Sequence, residues 1–260
     1  MWPTWEVTMM FSITLFKKEV RESRWKIIIG LIIFIITAVS IPFTFKYVKE
    51  LLPMIPELPG LEGFDRYLAN YNIYTWSQWN GKNLYQVGTI LAIIVGMNLI
   101  AGEKVSKTLE FLLARPISRS SLYFTKFSAG LLSLGLVIFG STVFLYILSV
   151  IMGYELLAGD LFISTLITFI GFIFIFTLTF LISTVLDEPV KVGLLSAFVL
   201  LLLAIPGWFQ KTRQLSVFHH MSAAEYFLEG KFPFLPLLAV LLLSAGMYYV
   251  GIRIFEKKQP

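Results

Sequence analysis

Long uncharged apolar runs alternate with short charged connectors along the whole chain. Six runs approach or exceed the roughly 20 residues that a helix needs to cross a bilayer: Ile27–Phe45, Leu84–Ala101, Phe127–Met152, Leu161–Leu186, Val192–Trp208 and Phe232–Ile252. The third and fourth are long enough to tilt or to extend past the lipid. The pattern predicts an all-α integral membrane protein, with six transmembrane helices in one membrane domain over residues 1–260. Ahead of the first run, residues 1–26 are mildly apolar and then basic (KKEVRESRWK), and Val7, Phe11 and Leu15 share one helical face. That arrangement predicts an N-terminal interfacial helix.

The longest connector, residues 46–83, carries Pro53, Pro56 and Pro59 with Gly60 and Gly63, which exclude a continuous helix there. It also carries Tyr67, Tyr71, Tyr74, Trp76 and Trp79. Rings with a polar edge suit the headgroup level, so these five are expected to anchor the loop at the membrane interface. The last connector, residues 209–231, mixes charges with Phe218, Tyr226 and Phe227, and its AAEYFLEG stretch predicts a short helix.

Composition agrees with the pattern: 57% of residues are hydrophobic and 14% charged, with mean hydropathy +0.79, where soluble domains carry about 25% charged residues. The absence of cysteine excludes disulfides, thiolate metal sites and cysteine nucleophiles. No A-x-A-like cleavage site follows a short apolar core, so the first run is expected to remain in the protein. Charge then orients the spans. Fourteen of the 21 Lys and Arg fall in the N-terminal segment, the connectors after the second and fourth runs and the C-terminus, against seven in the other connectors. By the positive-inside rule, both termini and the second connector face the cytoplasm. The net charge of +5 therefore reads as loop asymmetry, with no nucleic-acid partner implied.

The chemistry that is missing narrows the function further. As drawn, the six runs hold no Asp, Glu, Lys or His. Ion-coupled transporters carry ionisable groups within the membrane, so a self-powered transporter is disfavoured, as is an intramembrane metalloprotease. No G-x-x-x-x-G-K-[ST] loop occurs, so this chain is expected to bind no nucleotide by a P-loop and to be no enzyme itself. His219, His220 and Met221 are adjacent and lack the i, i+4 spacing that aligns two ligands on a helix. They read as a polar interfacial loop, with no metal site expected.

One charged segment remains, Gly102–Lys126. Taken as a helix from Ala101 to Arg115, it puts Ala101, Val105, Leu109, Leu112 and Leu113 within about 120° of arc. Glu103, Lys107 and Glu110 fall opposite. Arg115-Pro116 ends the helix, and Ser118 offers an N-cap for the one that becomes the third span. Two readings fit: an interfacial helix whose i, i+4 charges satisfy each other, or a docking helix that offers those charges to a soluble partner.

The run from Asn98 to Lys126, NLIAGEKVSKTLEFLLARPISRSSLYFTK, resembles the cytoplasmic signature of ABC-2 type transporter permeases, approximately G-E-K-x-x-G-T-L-E-x-L-L-x-x-P-[IV]-S-R followed by a lysine opening the next span. Gly102, Glu103, Lys104, Thr108, Leu109, Glu110, Leu112, Leu113, Pro116, Ser118, Arg119 and Lys126 match. Lys107 departs, standing where the pattern has glycine, and makes a more continuous helix the expectation.

The resemblance implies a permease of the prokaryotic cytoplasmic (inner) membrane that pairs with a second permease copy, identical or related. It implies a cytoplasmic coupling helix between spans 2 and 3, docked on separate ABC ATPase subunits. ATP and Mg would be bound by those partners, with no cofactor on this chain. Gly102, Glu103, Lys104, Thr108, Glu110, Pro116 and Arg119 are the implied docking and coupling residues, with Glu103, Lys104 and Glu110 touching the ATPase and Pro116 and Arg119 fixing the return to the membrane. Export is the implied activity. The alternative is a mechanical relay that passes ATPase motion to an outer or membrane partner, for example in metal-centre assembly.

Overall fold

The computed structural model describes residues 13–51, 70–113 and 117–257. Among these residues every regular element is helical. A short helix α1 (Ile13–Glu22) turns at Ser23 into α2 (Arg24–Leu51). Helix α3 (Tyr71–Gln78) opens with Asn70, whose side chain accepts from the Asn72 amide, one of the donors a helix start leaves free. It continues without a break through a wider π-helical stretch, Trp79–Gly88, into α4 (Thr89–Asn98). Two short helices follow, α5 (Ala101–Val105) and α6 (Thr108–Leu113). Then come α7 (Arg119–Ile151), α8 (Ala158–Val185) and α9 (Pro189–Ala204). The small helices α10 (Val217–Met221) and α11 (Ala224–Glu229) lead to α12 (Phe234–Lys257).

Five described helices are long and apolar enough to cross a membrane: α2, α7, α8, the helix running Pro189–Trp208, and α12. Ile205–Trp208 tightens to a 3-10 turn at Pro206, which cannot donate the next helical bond. Several helices outrun the predicted runs. Lys126 lies inside α7, Asp160 inside α8, and Arg253 and Glu256 inside α12. The second predicted run, Leu84–Ala101, is not a single helix. Its first residues belong to the π-helical stretch, and it breaks at Leu99–Ile100 before α5.

Helix α8 is the hub. Of its apolar window 61% is buried, against 39% or less in the other four. Phe172, Phe176 and Phe180, spaced four apart, are fully buried along one face. Buried hydroxyls on α8 donate back into their own helix, Thr179 to Ile175 O (2.9 Å) and Thr184 to Phe180 O (3.0 Å), so that no polar group faces the apolar interior unpaired at those points. The Tyr71–Asn98 rod closes on α8 through glycines. A Cβ on Gly88 would stand 2.3 Å from Phe172 Cζ, and one on Gly96 would stand 3.3 Å from the Phe176 carbonyl oxygen. Small residues permit this approach, and dispersion then rewards it.

The aromatic residues expected at the membrane interface turn inward instead. Tyr71, Tyr74, Trp76 and Trp79 are all buried. Their polar edges find partners within the bundle: Tyr71 bonds Ser149 at 2.7 Å, the Trp76 indole donates to Ser222 O at 2.9 Å, and Trp79 donates to Thr142 at 3.1 Å. Tyr71 stacks on Tyr154, and Trp76 stacks on Phe227. Tyr67, like the three prolines of that connector, lies outside the described residues. So do Val7 and Phe11 of the expected N-terminal stripe; Leu15 is buried.

The helices run so that α1, the start of α2, α5, α6, the start of α7 and the C-terminal ends of α8 and α12 meet at one end of the bundle. Contacts such as Lys126–Glu19, Lys104–Thr184 and Arg119–Glu256 join them there. The opposite end gathers α3, the α7–α8 turn, α10 and α11, joined by Asn72 to Leu157 N and by Tyr226 to Asp160.

Candidate functional site

The charged segment does not form one helix. Lys107 takes φ +55°, a left-handed conformation that ends α5. The Ser106 and Lys107 amides bond back to the Gly102 and Lys104 carbonyls, and the chain restarts at Thr108 as α6. This is the usual way for a helix to stop, and glycine suits it best. The expected continuity at Lys107 is thus corrected. The expected apolar stripe is corrected with it. Ala101 and Leu112 are buried and Leu109 packs on the core, but Val105 is 61% exposed. The side chain of Leu113 lies outside the described residues.

Glu103, which the helical arc put on the outer face, turns inward. Its carboxylate is buried in a cluster of charges contributed by α1, α5 and α7. Lys126, on the first turns of α7, is fully buried and bridges two carboxylates at once, Glu19 Oε1 and Glu103 Oε1, each at 2.7 Å. Lys18 of α1 closes the cluster at 3.3 Å from Glu103 and 3.3 Å from Glu22. The Thr108 hydroxyl donates to the other Glu103 oxygen. A cavity of about 390 Å³ opens beside these groups, lined also by Lys26, Asn98 and Gly102.

The electrostatics follow from this geometry. Burial alone would raise the Glu103 pKa, but the Lys126 ammonium, the Thr108 hydroxyl and Lys18 outweigh it and hold the pKa below the ordinary carboxylate value. Lys18 is the mirror case. Burial lowers its pKa, and Glu103, Glu19 and Glu22 together raise it above the ordinary value.

Lys104 also turns inward, onto the exposed end of α8. Its ammonium donates to the carbonyls of Ser183 (3.2 Å), Thr184 (2.9 Å) and Leu186 (2.7 Å), and pairs with Asp187 at 3.2 Å. A helix end leaves its last carbonyls without partners and carries partial negative charge, and a lysine there answers both. Ser183 returns the bond. Its hydroxyl accepts from the Ala101 amide at 3.0 Å and donates to Met97 O at 3.1 Å. The start of α5 is therefore stitched to the end of α8.

Arg119 donates to Glu256 O at 3.0 Å, and Ser120 bonds the Glu256 side chain at 2.5 Å, which ties the start of α7 to the end of α12. Ser118 caps α7 as expected, accepting from the Ser121 amide at 3.1 Å. Gly102 sits half-buried over Asn98. Pro116 lies outside the described residues. What remains on the outer surface of α5 and α6 is Val105, Ser106, Lys107, Glu110 and Phe111, the last 73% exposed. The expected docking residues therefore divide. Glu103, Lys104 and Thr108 face into the bundle, and Glu110 faces out beside two exposed apolar side chains that the helical arcs did not put there.

Sequence reasoning did not single out Glu19 or Lys18 as site residues, and it used Lys126 only as a cytoplasmic charge and a motif position. A signal was available. Lys126 opens an apolar run, and Glu19 is an acid within a basic segment. Each is costly alone near a membrane, and they answer each other.

A family model described as "ABC-2 family transporter protein" matches residues 13–259. No curated protein and no solved structure matches the chain.

Proposed function

The chain belongs to the ABC-2 transporter family, and from that premise we propose that it is the permease subunit of an ATP-driven exporter. It is a multi-pass membrane protein of permease type, and its family implies association with ABC ATPases. In the proposed arrangement Leu84–Ala101 is a sixth span, interrupted at its end, and α5–α6 is the cytoplasmic coupling element. Both termini face the cytoplasm of a prokaryotic cell, and a second permease copy completes the pathway.

The observation that carries this reading is the two-sided construction of α5–α6. Its inner side is pinned by ion pairs and hydrogen bonds to α1, α7 and α8. Its outer side exposes Val105, Lys107, Glu110 and Phe111. An element fixed to three helices on one side and free on the other passes a displacement into the bundle instead of absorbing it. Exposed apolar residues beside charges at such a place suit a protein surface better than water. Hence Glu110, Lys107, Val105 and Phe111 touch the ATPase, while Glu103, Lys104 and Thr108 carry its motion inward.

The test is co-purification. Phe111→Asp combined with Glu110→Lys removes the outer contacts without touching the inner cluster. The doubly substituted permease is expected to insert and to elute as the wild type does, yet to lose its ATPase partner on affinity capture. Undiminished capture would refute the docking assignment. Substrate movement in vesicles, with ATP on the ATPase side, separates export from a mechanical relay.

A further inference from the structure

At the far end of the bundle from Lys126, a second cluster lies outside everything the permease reading uses. Helix α10 carries His219 and His220, and the chain then reverses at Ala223, whose φ of +54° is left-handed. That reversal brings Glu225 of α11 back over the two imidazoles. Glu225 Oε1 lies 3.4 Å from His219 Nε2, and Oε2 lies 3.8 Å from His220 Nδ1. One donor atom from each of the three residues falls within 4.8 Å of the other two.

The two nitrogens facing the carboxylate are shielded from solvent, and neither makes a hydrogen bond. His220 is 7% exposed. Its other nitrogen, Nε2, lies 2.9 Å from Gln214 O. A carbonyl only accepts, so Nε2 carries a proton, and in the neutral ring Nδ1 is the nitrogen whose lone pair faces Glu225. That is how a metal-ligating histidine is held: the far nitrogen donates to a carbonyl, which fixes the tautomer and the ring. A plain imidazolium–carboxylate pair fits less well, because charge-assisted hydrogen bonds run about 2.7–2.9 Å.

We propose that His219, His220 and Glu225 form a three-ligand site for a borderline divalent transition-metal ion, with Zn²⁺ the best fit. Donors about 2.0–2.1 Å from a tetrahedral centre stand roughly 3.3–3.4 Å apart. The His219–Glu225 spacing already has that value, His220 lies 3.8 Å from the other carboxylate oxygen, and the three donors, all within 4.8 Å of one another, would draw together around an ion. Two imidazoles and one carboxylate are a known three-ligand set for zinc sites that keep a fourth position open. Here a cavity of about 250 Å³, lined by His219, Tyr85, Trp208, Ser216 and Phe218, adjoins the cluster. The neighbouring thioether takes no part. Met221 is buried against Gly171, so the donor set holds no soft sulfur that would favour Cu(I). The site is also anchored: Thr168 of α8 donates to Met221 O at 2.7 Å, and Trp76 of α3 donates to Ser222 O. A bound ion would lock the α10–α11 segment onto both helices.

The experiment uses the full chain in detergent, purified by a tag without histidine, stripped with a chelator and titrated with Zn²⁺ and with Co²⁺. One Zn²⁺ per chain is expected, with a rise in Tm on binding, and Co²⁺ should give the intense visible bands of a tetrahedral ion. Glu225→Gln is nearly isosteric, and His219→Ala truncates only a partly buried ring. Each should weaken binding at least about 10-fold, remove the Co²⁺ bands and abolish the Tm rise, with an unchanged elution profile. Substoichiometric binding by the wild-type chain, or equal binding by Glu225→Gln, would overturn the proposal. ATPase capture is a separate readout, so failure here leaves the permease assignment standing.

Discussion

Lys126 is fully buried, and two carboxylates within 2.7 Å are what make that tolerable. Removing one member of such a cluster leaves the others buried and unbalanced, which typically costs about 3–5 kcal/mol. Glu103→Gln is expected to fall in that range at neutral pH, seen as a lower denaturation midpoint in detergent. The pH dependence has a definite sign. The Glu103 pKa is depressed in the folded protein, so its contribution is full above the unfolded value of about 4.3 and fades as pH falls toward the folded one. The stability gap between wild type and Glu103→Gln should stay constant near neutrality and shrink below about pH 4.3; a gap independent of pH would contradict the pairing. Lys107 gives a second prediction with the opposite sign. Its φ of +55° strains any residue with a Cβ by roughly 1–2 kcal/mol, so Lys107→Gly should stabilise the fold by roughly 1 kcal/mol, read as a higher midpoint. The signature's glycine at this position now has a physical reason, one that a helical arc drawn straight through Lys107 had hidden.

At the scale of elements, close approach without side chains decides how the Tyr71–Asn98 rod meets α8. Gly88→Leu would drive a side chain into the Phe172 ring. Overpacking of this kind costs typically about 1–3 kcal/mol, and more where backbone must move. The expected outcome is a lower Tm with membrane insertion retained, while Gly246→Ala, where a Cβ meets nothing, serves as the neutral control. Element existence was legible from apolar length: α2, α7, α8, α9 and α12 each sit on a run read from the sequence. Element interruption was less so. The left-handed stop at Lys107 is set by a turn that a lysine can also adopt, and the break at Leu99–Ile100 is held by Ser183, more than 80 residues away. The aromatic connector misled for a similar reason. A ring with a polar edge serves a headgroup or a buried hydroxyl equally well, and only the fold shows that Tyr71 has Ser149 and Trp79 has Thr142. The same holds for the two adjacent histidines, whose third partner arrives through a reversal at Ala223 that no spacing rule anticipates.

For the whole molecule, one end of the bundle concentrates ion pairs that cross between helices, and Lys104 is the joint between α5 and the end of α8. Lys104→Met keeps the exposed face of α5–α6 intact but frees the carbonyl end of α8. The expected phenotype is a permease that still captures its ATPase yet no longer shows substrate-stimulated ATP hydrolysis, measured on the purified complex. Loss of capture would instead mean that Lys104 supports docking directly. Membership of the family was legible in about thirty residues. Which of those residues look outward was not, because that depends on Glu19 and Lys18, which lie outside the signature.

The order of the buried cluster along the chain has its own consequence. Glu19 and Glu103 both precede Lys126. During synthesis the two carboxylates leave the ribosome first, so the lysine never has to wait for a counter-charge while its helix partitions into lipid. The fully buried cation of the cluster is the last of its set to be made, and the carboxylates that answer it are already in the nascent chain.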